Sequence, residues 1–120
     1  LPLVRGHHDA LHRAFANVLI NAVEASGSGG MLDVKVARRG ADVVMSVRDH
    51  GCGIPPDRLP RIWEPYVSDK TAGTGLGLAI VKQTVMAHAG HVEAESAPGT
   101  GTEIRMVFPA VHEHGEAVTK

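Results

Sequence analysis

The sequence predicts an α+β fold, a two-layer α/β sandwich with helices packed on one face of a mixed, mostly antiparallel sheet. Three observations predict it. The periodicities run in the order helix, two strands, loop, helix, two strands. Each strand pair is joined by a short glycine-containing turn, as in a hairpin. The strict β-α-β alternation of a parallel dinucleotide-binding sheet is missing. At 120 residues, 43% apolar and 21% charged, the chain has the size and composition of one soluble domain with a core that needs no metal or disulfide staple.

The elements follow in order. Pro2 to Arg5 reads as the end of a strand. Asp9 reads as a helix N-cap. From Ala10 to Ala25, Leu11, Phe15, Val18, Leu19, Ala22 and Val23 recur at helical spacing, and Gly27-Ser28-Gly29-Gly30 stops the helix. Leu32, Val34 and Val36 alternate with Asp33 and Lys35, the pattern of a half-buried strand. After a turn at Arg39-Gly40-Ala41-Asp42, Val43 to Val47 is nearly all apolar, which predicts a central strand covered on both faces. Arg58 to Trp63 has room for one or two helical turns, and Glu64 to Gly75 reads as a long loop. Leu78, Val81 and Val85 form the stripe of a second helix from Leu76 to Ala89. Val92 and Ala94, then Ile104, Met106 and Phe108, alternate with charged residues around the turn Ala97-Pro98-Gly99-Thr100-Gly101. The expected domain is 1–109, with a frayed tail at 110–120.

Twelve Lys and Arg against thirteen Asp and Glu give a net charge of −1, which argues against bulk electrostatic binding to nucleic acid or acidic lipid. The lone Cys52 cannot form an internal disulfide, so a reducing compartment is expected. No apolar run reaches membrane-spanning length and no signal peptide opens the chain, so a cytoplasmic domain without direct membrane contact is expected. A start at Leu1 rather than Met leads one to expect a piece of a longer parent, either soluble or membrane-anchored.

Four clusters could carry chemistry. Asn17 and Asn21 stand one helical turn apart, off the apolar stripe, and amide oxygens suit Mg²⁺ shared with phosphate and water; two solvated asparagines would look the same. Asp49-His50-Gly51-Cys52-Gly53-Ile54-Pro55 puts a carboxylate at a strand end, able to accept from a ligand amino group, followed by glycines that let backbone come close; an ordinary glycine turn is the alternative. Gly73-Thr74-Gly75-Leu76-Gly77-Leu78 runs into a helix start, where free N–H groups favour phosphate, and Lys70 precedes it. It is neither a Walker A loop nor a dinucleotide fingerprint, and a plain linker is the alternative. Gly99-Thr100-Gly101-Thr102 alone is a hairpin turn.

Taken together and in order, these residues resemble the catalytic ATP-binding domain of bacterial sensor histidine kinases, in the superfamily that also holds type II topoisomerases, heat-shock-type chaperone ATPases and mismatch-repair ATPases. Asn17 to Ala22 resembles the N box, Asp49 to Pro55 the first glycine box, Trp63-Glu64-Pro65-Tyr66 the F box, Gly73 to Val81 the second glycine box and Gly99 to Thr102 the third. The wording around Asn21 is similar to the nitrogen-regulation and dicarboxylate-sensing branch. The resemblance covers Leu3 to Pro109 and implies the Bergerat fold. It implies that Asn21, supported by Asn17, holds Mg²⁺ on the ATP phosphates, and that Asp49 accepts from the adenine amino group with Thr102 nearby. Gly51, Gly53 and Ile54 would lie against the base and ribose. Glu64 to Gly75 would form a mobile lid anchored by Trp63 and Tyr66, with Lys70, Gly73, Thr74, Gly75, Leu76, Gly77 and Leu78 on the phosphates. The implied partners are ATP or ADP, a dimerisation and histidine-phosphotransfer domain of the same parent, and through it a response regulator.

Two departures stand out. Glu24 lies where many such kinases carry a base, so it is expected to turn outward. Asn17 occupies the place where water-splitting relatives carry a glutamate, and an amide cannot take a proton at neutral pH. Transfer to an external histidine with slow hydrolysis is therefore the expected activity. The alternatives are a serine-directed, anti-sigma-factor-type kinase of the same superfamily, or a nucleotide-free interaction module. His8 and His12 share a zinc-helix spacing but lack a third ligand, and solvated histidines fit them better. Cys52, inside the predicted nucleotide loop, reads as a small buried filler, with a redox-active thiol as the alternative.

Overall fold

The computed structural model describes residues 8–26, 30–64 and 77–110. Helix α1 spans His8–Ser26, and strands β1 (Leu32–Arg39) and β2 (Asp42–Asp49) follow. A single 3₁₀ turn covers Leu59–Arg61, and then come α2 (Gly77–Ala87), β3 (His91–Ser96) and β4 (Thr102–Pro109). The four strands form one sheet in the order β1-β2-β4-β3, every neighbouring pair antiparallel. The two helices pack on each other and on one face of that sheet, α1 over β2 and α2 over β3. This is the two-layer architecture the sequence predicts.

Register decides which residues fill the space between the layers. Val47 pairs with Ile104, Met45 with Met106 and Val43 with Phe108, while Ala94 and Val92 pair with Ile104 and Met106. Direct partners share a face, so these side chains form one apolar floor. Onto it α1 sets Ala14, Val18 and Ala22, and α2 sets Val81 and Val85, one turn apart and all buried. Burying a side chain of Val or Leu size contributes roughly 1.5–3 kcal/mol, so this single cluster dominates the stability.

The opposite face of the sheet is ionic. Arg105, opposite Glu93 in the ladder, bonds Glu93 at 2.8 Å, Glu95 at 2.5 Å and Glu103 at 2.6 Å, and Arg39 grips Glu93 with two bonds of 2.9 and 3.1 Å. Arg39, with His91 and Arg105 behind it, holds the Glu93 carboxyl down to about 2 against the opposing pull of burial. A carboxyl depressed from 4.5 stabilises the fold above that pH and loses the contribution as pH falls toward 2. Glu93→Gln is therefore expected to lower the melting temperature by a constant amount above about pH 5. The gap to the parent chain closes between about pH 4.5 and 2. A gap that does not narrow on acidification would refute the pairing.

Four local readings are corrected. Helix α1 begins at His8, so Asp9 lies inside the first turn, near the positive end of the helix dipole, and is not the cap. Strand β1 is not half-buried: Val34 and Val36 share the helix-side face with Val47 and Met45 yet are 48% and 44% exposed, because α1 lies over β2 and leaves this edge strand uncovered. Strand β2 is central, but only at its start are both faces covered. Val43 and Val44 point opposite ways and are both buried, whereas Ser46 and Arg48 are partly exposed on the ionic face. Helix α2 ends at Ala87, short of Ala89, because the Gly90 and Ala89 N–H groups turn back to Val85 and Met86 at 2.9 and 3.1 Å, with Ala89 at φ 63°. That is a Schellman ending. Ala110, just past the expected domain limit, is buried and its N–H bonds the Ala41 carbonyl.

Candidate functional site

At one end of the sheet β2 finishes on Asp49, which is 2% exposed despite its charge-bearing side chain. Its Oδ1 accepts the Gly51 N–H at 2.9 Å and the Thr102 N–H at 3.1 Å. The first bond is an Asx turn, the local device by which a carboxylate bends the chain that follows it. The second ties the end of β2 to the start of β4. Both bonds fall on one oxygen; among the described residues no donor reaches Oδ2. Oδ2 is not sealed from solvent, so water or a ligand can supply its donor. Thr102, 3% exposed, continues the register of Arg48 with Glu103 and so stands beside Asp49 on the helix side of the sheet.

The loop after Asp49 is held by backbone on both sides. The Gly99 N–H donates to the Cys52 carbonyl at 2.7 Å, and the Ile54 N–H donates to Ser96 Oγ at 2.8 Å. A Cβ on Gly51 would run into the Ala25 carbonyl in the last turn of α1, and one on Gly53, at φ +77°, into the Ala97 carbonyl. These glycines are therefore required by close approach and not merely by turn preference. The loop packs on the last turn of α1 at Ala25, one helical turn beyond Asn21 and two beyond Asn17. Both asparagines are partly buried beside the stripe of Val18 and Ala22. Glu24 is exposed, as its outward turn requires.

Two of the four clusters singled out in the sequence, the Asp49 loop and the Gly99 to Thr102 turn, thus meet at one end of the sandwich, where the last turn of α1 packs on Gly51. Of the Gly73 to Leu78 cluster, Gly77 opens α2 with open space where a Cβ would sit, and Leu78 packs its side chain against the core. Lys70, Gly73, Thr74, Gly75 and Leu76 lie outside the described residues, as does Tyr66; Trp63 packs against the core. Cys52 is not a buried filler but exposed, since its carbonyl faces the Gly99 N–H and the side chain is left outward. Ser96 is the residue that sequence reasoning missed. A serine at a strand end before Ala-Pro-Gly carries no pattern signal, and only the fold brings it against Ile54, Gly101 and Thr102. Among the described residues no three His, Cys, Asp or Glu side chains converge.

Comparison with known proteins shows the family and the fold. A family model described as histidine kinase-, DNA gyrase B-, and HSP90-like ATPase matches residues 6–112. Sporulation kinase C of Bacillus subtilis (strain 168) is 35% identical over 107 residues, 89% of this chain and 25% of its own length. Sensor histidine kinase ZraS of Escherichia coli (strain K12) is 38% identical over 109 residues, 91% of this chain and 23% of its own. The chain therefore spans about a quarter of these relatives. Among solved structures, a mycobacterial sensor histidine kinase, MprB, superposes with a TM-score of 0.82 at 36% identity, covering 89% of this chain and 74% of that one. The catalytic domain of histidine kinase ThkA superposes at 0.79 and 27% identity, covering 88% and 70%.

Proposed function

Because the chain belongs to the histidine kinase-, DNA gyrase B-, and HSP90-like ATPase family, we propose that it is the ATP-binding catalytic domain of a two-component sensor kinase. In this reading it binds Mg-ATP and passes the γ-phosphoryl group to a histidine on the dimerisation domain of its parent, and thence to a response regulator. The observation that carries the reading is the Asp49 carboxyl: buried, fixed through one oxygen by two backbone N–H groups, and open through the other. An exocyclic amino group on a purine is the donor such an oxygen wants.

The residues present fit the rest of the ligand. Gly51 and Gly53 let the loop beside Asp49 close on the Ala25 and Ala97 carbonyls, which fixes the backbone proposed to lie against the base. The absence of a carboxylate cluster among the described residues suits a Mg²⁺ ion that takes most of its ligands from phosphate and water, with the Asn21 amide oxygen as the protein's contribution and Asn17 in support. Such an ion would screen charge on the phosphate oxygens and orient the transferred group. Lys70 and residues 73–78 are proposed to close on the phosphates through a point charge and backbone N–H groups. No helix among the described residues is long and apolar enough to cross a membrane; placing the domain at the cytoplasmic side of its parent rests on the kinase reading alone.

The expected activity is binding with little hydrolysis. Asn17 cannot accept a proton from water, so the chain alone should turn over ATP far below the ~1–100 s⁻¹ of kinases acting on their acceptors. It should nevertheless label an added histidine-bearing dimerisation domain from [γ-³²P]ATP. Multiple rapid turnovers without any acceptor, or saturable binding of no adenine nucleotide at all, would each overturn the reading.

A further inference from the structure

Ser96, the last residue of β3, holds three hydrogen bonds at once. Its Oγ meets the Ile54 N–H at 2.8 Å, the Gly101 carbonyl at 2.8 Å and the Thr102 hydroxyl at 2.7 Å. A serine hydroxyl has one proton and two lone pairs. An amide N–H only donates, so Ile54 takes one lone pair. A carbonyl only accepts, so Gly101 takes the proton. One lone pair is left for Thr102, and the Thr102 hydroxyl must therefore spend its own proton on Ser96. What Thr102 Oγ1 retains for any other partner is acceptor capacity alone.

Beside it stands another pure acceptor. Asp49 and Thr102 are neighbours on the helix side of the sheet, joined by the Thr102 N–H to Oδ1 bond, and no donor among the described residues reaches Asp49 Oδ2. We propose that Ser96 is a specificity-determining positioning residue: by consuming the Thr102 hydroxyl proton it keeps the base-reading end of the site an all-acceptor surface. Such a surface takes a nucleotide base that presents an amino group and rejects one that presents a carbonyl in its place, because a carbonyl would leave buried acceptors facing an acceptor. The proposal rests on the reading that Asp49 and Thr102 receive the base. It adds that the discrimination is set by a residue that need not touch the ligand. Without the Ser96 hydroxyl, Thr102 is free to rotate and donate.

The test is calorimetric titration of the full chain with Mg-ADP and with Mg-IDP, the inosine nucleotide that replaces the adenine amino group by a carbonyl. The parent chain is expected to prefer ADP. Ser96→Ala is expected to cut the ADP-over-IDP preference about tenfold, the worth of one hydrogen bond of 1.4 kcal/mol. Ser96→Thr, which keeps the hydroxyl, should restore it. In a Thr102→Val background, with no hydroxyl left to orient, Ser96→Ala should leave the preference unchanged. A merely structural serine would weaken both nucleotides equally, so an unchanged preference in Ser96→Ala overturns the proposal. So does an undiminished effect in the Thr102→Val background. Should Ser96→Ala fail to melt cooperatively, Ser96→Cys, close in size and weak in hydrogen bonding, carries the same expectation. A parent chain that binds neither nucleotide overturns the nucleotide reading and this proposal with it. One that prefers ADP while Ser96→Ala and Ser96→Cys keep that preference overturns the proposal alone.

Discussion

Replacing Asp49 by asparagine is expected to weaken ADP binding about 100-fold while leaving the fold intact. The asparagine Oδ1 can keep both backbone bonds that Asp49 makes, to the Gly51 and Thr102 N–H groups. What changes is the other terminal atom, which turns from an acceptor into an NH₂ donor. A ligand amino group then meets a donor, and a charge-assisted bond is lost and replaced by an unsatisfied buried pair. The loss of such a bond, ~1.5–3 kcal/mol, together with the penalty of the unpaired group, comes to about 3 kcal/mol, or roughly two decades in affinity. Asp49→Ala is the contrasting variant. It abandons both N–H groups as well, so it should lose thermal stability along with affinity. Calorimetric titration with Mg-ADP, paired with thermal melts of the three chains, separates the two effects. Binding by Asp49→Asn within about threefold of the parent would remove Asp49 from the base-reading role.

Gly101→Ala should be, with Gly53→Ala, among the most damaging single-methyl changes at the described glycines. Gly101 sits at φ +80°, and an ideal Cβ there would run into the Asp49 carbonyl oxygen and lie 2.9 Å from His50 Cα. The left-handed conformation costs a non-glycine residue ~1–2 kcal/mol. The clash is with backbone on both counts, so relief requires β4 and the end of β2 to part, which strains the bond from Thr102 N–H to Asp49. A total of about 3 kcal/mol would lower the melting temperature by more than about 10 °C. Gly99 provides the control. Its φ is +81°, nearly the same, but nothing lies within 4 Å of a Cβ there. Gly99→Ala should therefore show the conformational cost alone, about 1 kcal/mol, or about 5 °C. Equal losses in the two variants would show that backbone strain, and not the approach of β4 to Asp49, is what glycine relieves. The same displacement of Asp49 predicts that Gly101→Ala loses ADP affinity and Gly99→Ala keeps it.

The two predictions mark where sequence and structure divide the information. The periodicity of Val18 and Ala22, of Val81 and Val85, and of Ile104, Met106 and Phe108 was legible because hydrophobic spacing reports directly which face must leave water. Asp49 and the glycines around it were legible for a different reason: alone they read as an ordinary glycine turn, and only the order of five different groups along the chain sets them apart. The exposure of Val34 and Val36 was not legible. Alternation says that a strand has an apolar face, but not whether a helix lies over it, and here α1 settles on the neighbouring strand. Cys52 misled for a related reason. A small apolar side chain between glycines fits either side of a loop, and the bond from Gly99 to its carbonyl turned it outward.

Ser96 belongs wholly to the tertiary structure. Its partners lie 42, 5 and 6 positions away along the chain, and no local pattern of donors and acceptors could have brought them together. By itself the sequence determined most of the residues that must be buried and the order of the glycine groups, and it singled out the acid proposed for the base, because composition and spacing act through short-range sterics and the aversion of apolar groups to water. The fold alone decided which oxygen of Asp49 stays open, which proton Thr102 gives up and which glycine is pressed against its neighbour, because hydrogen bonds are spent between groups that only packing makes adjacent.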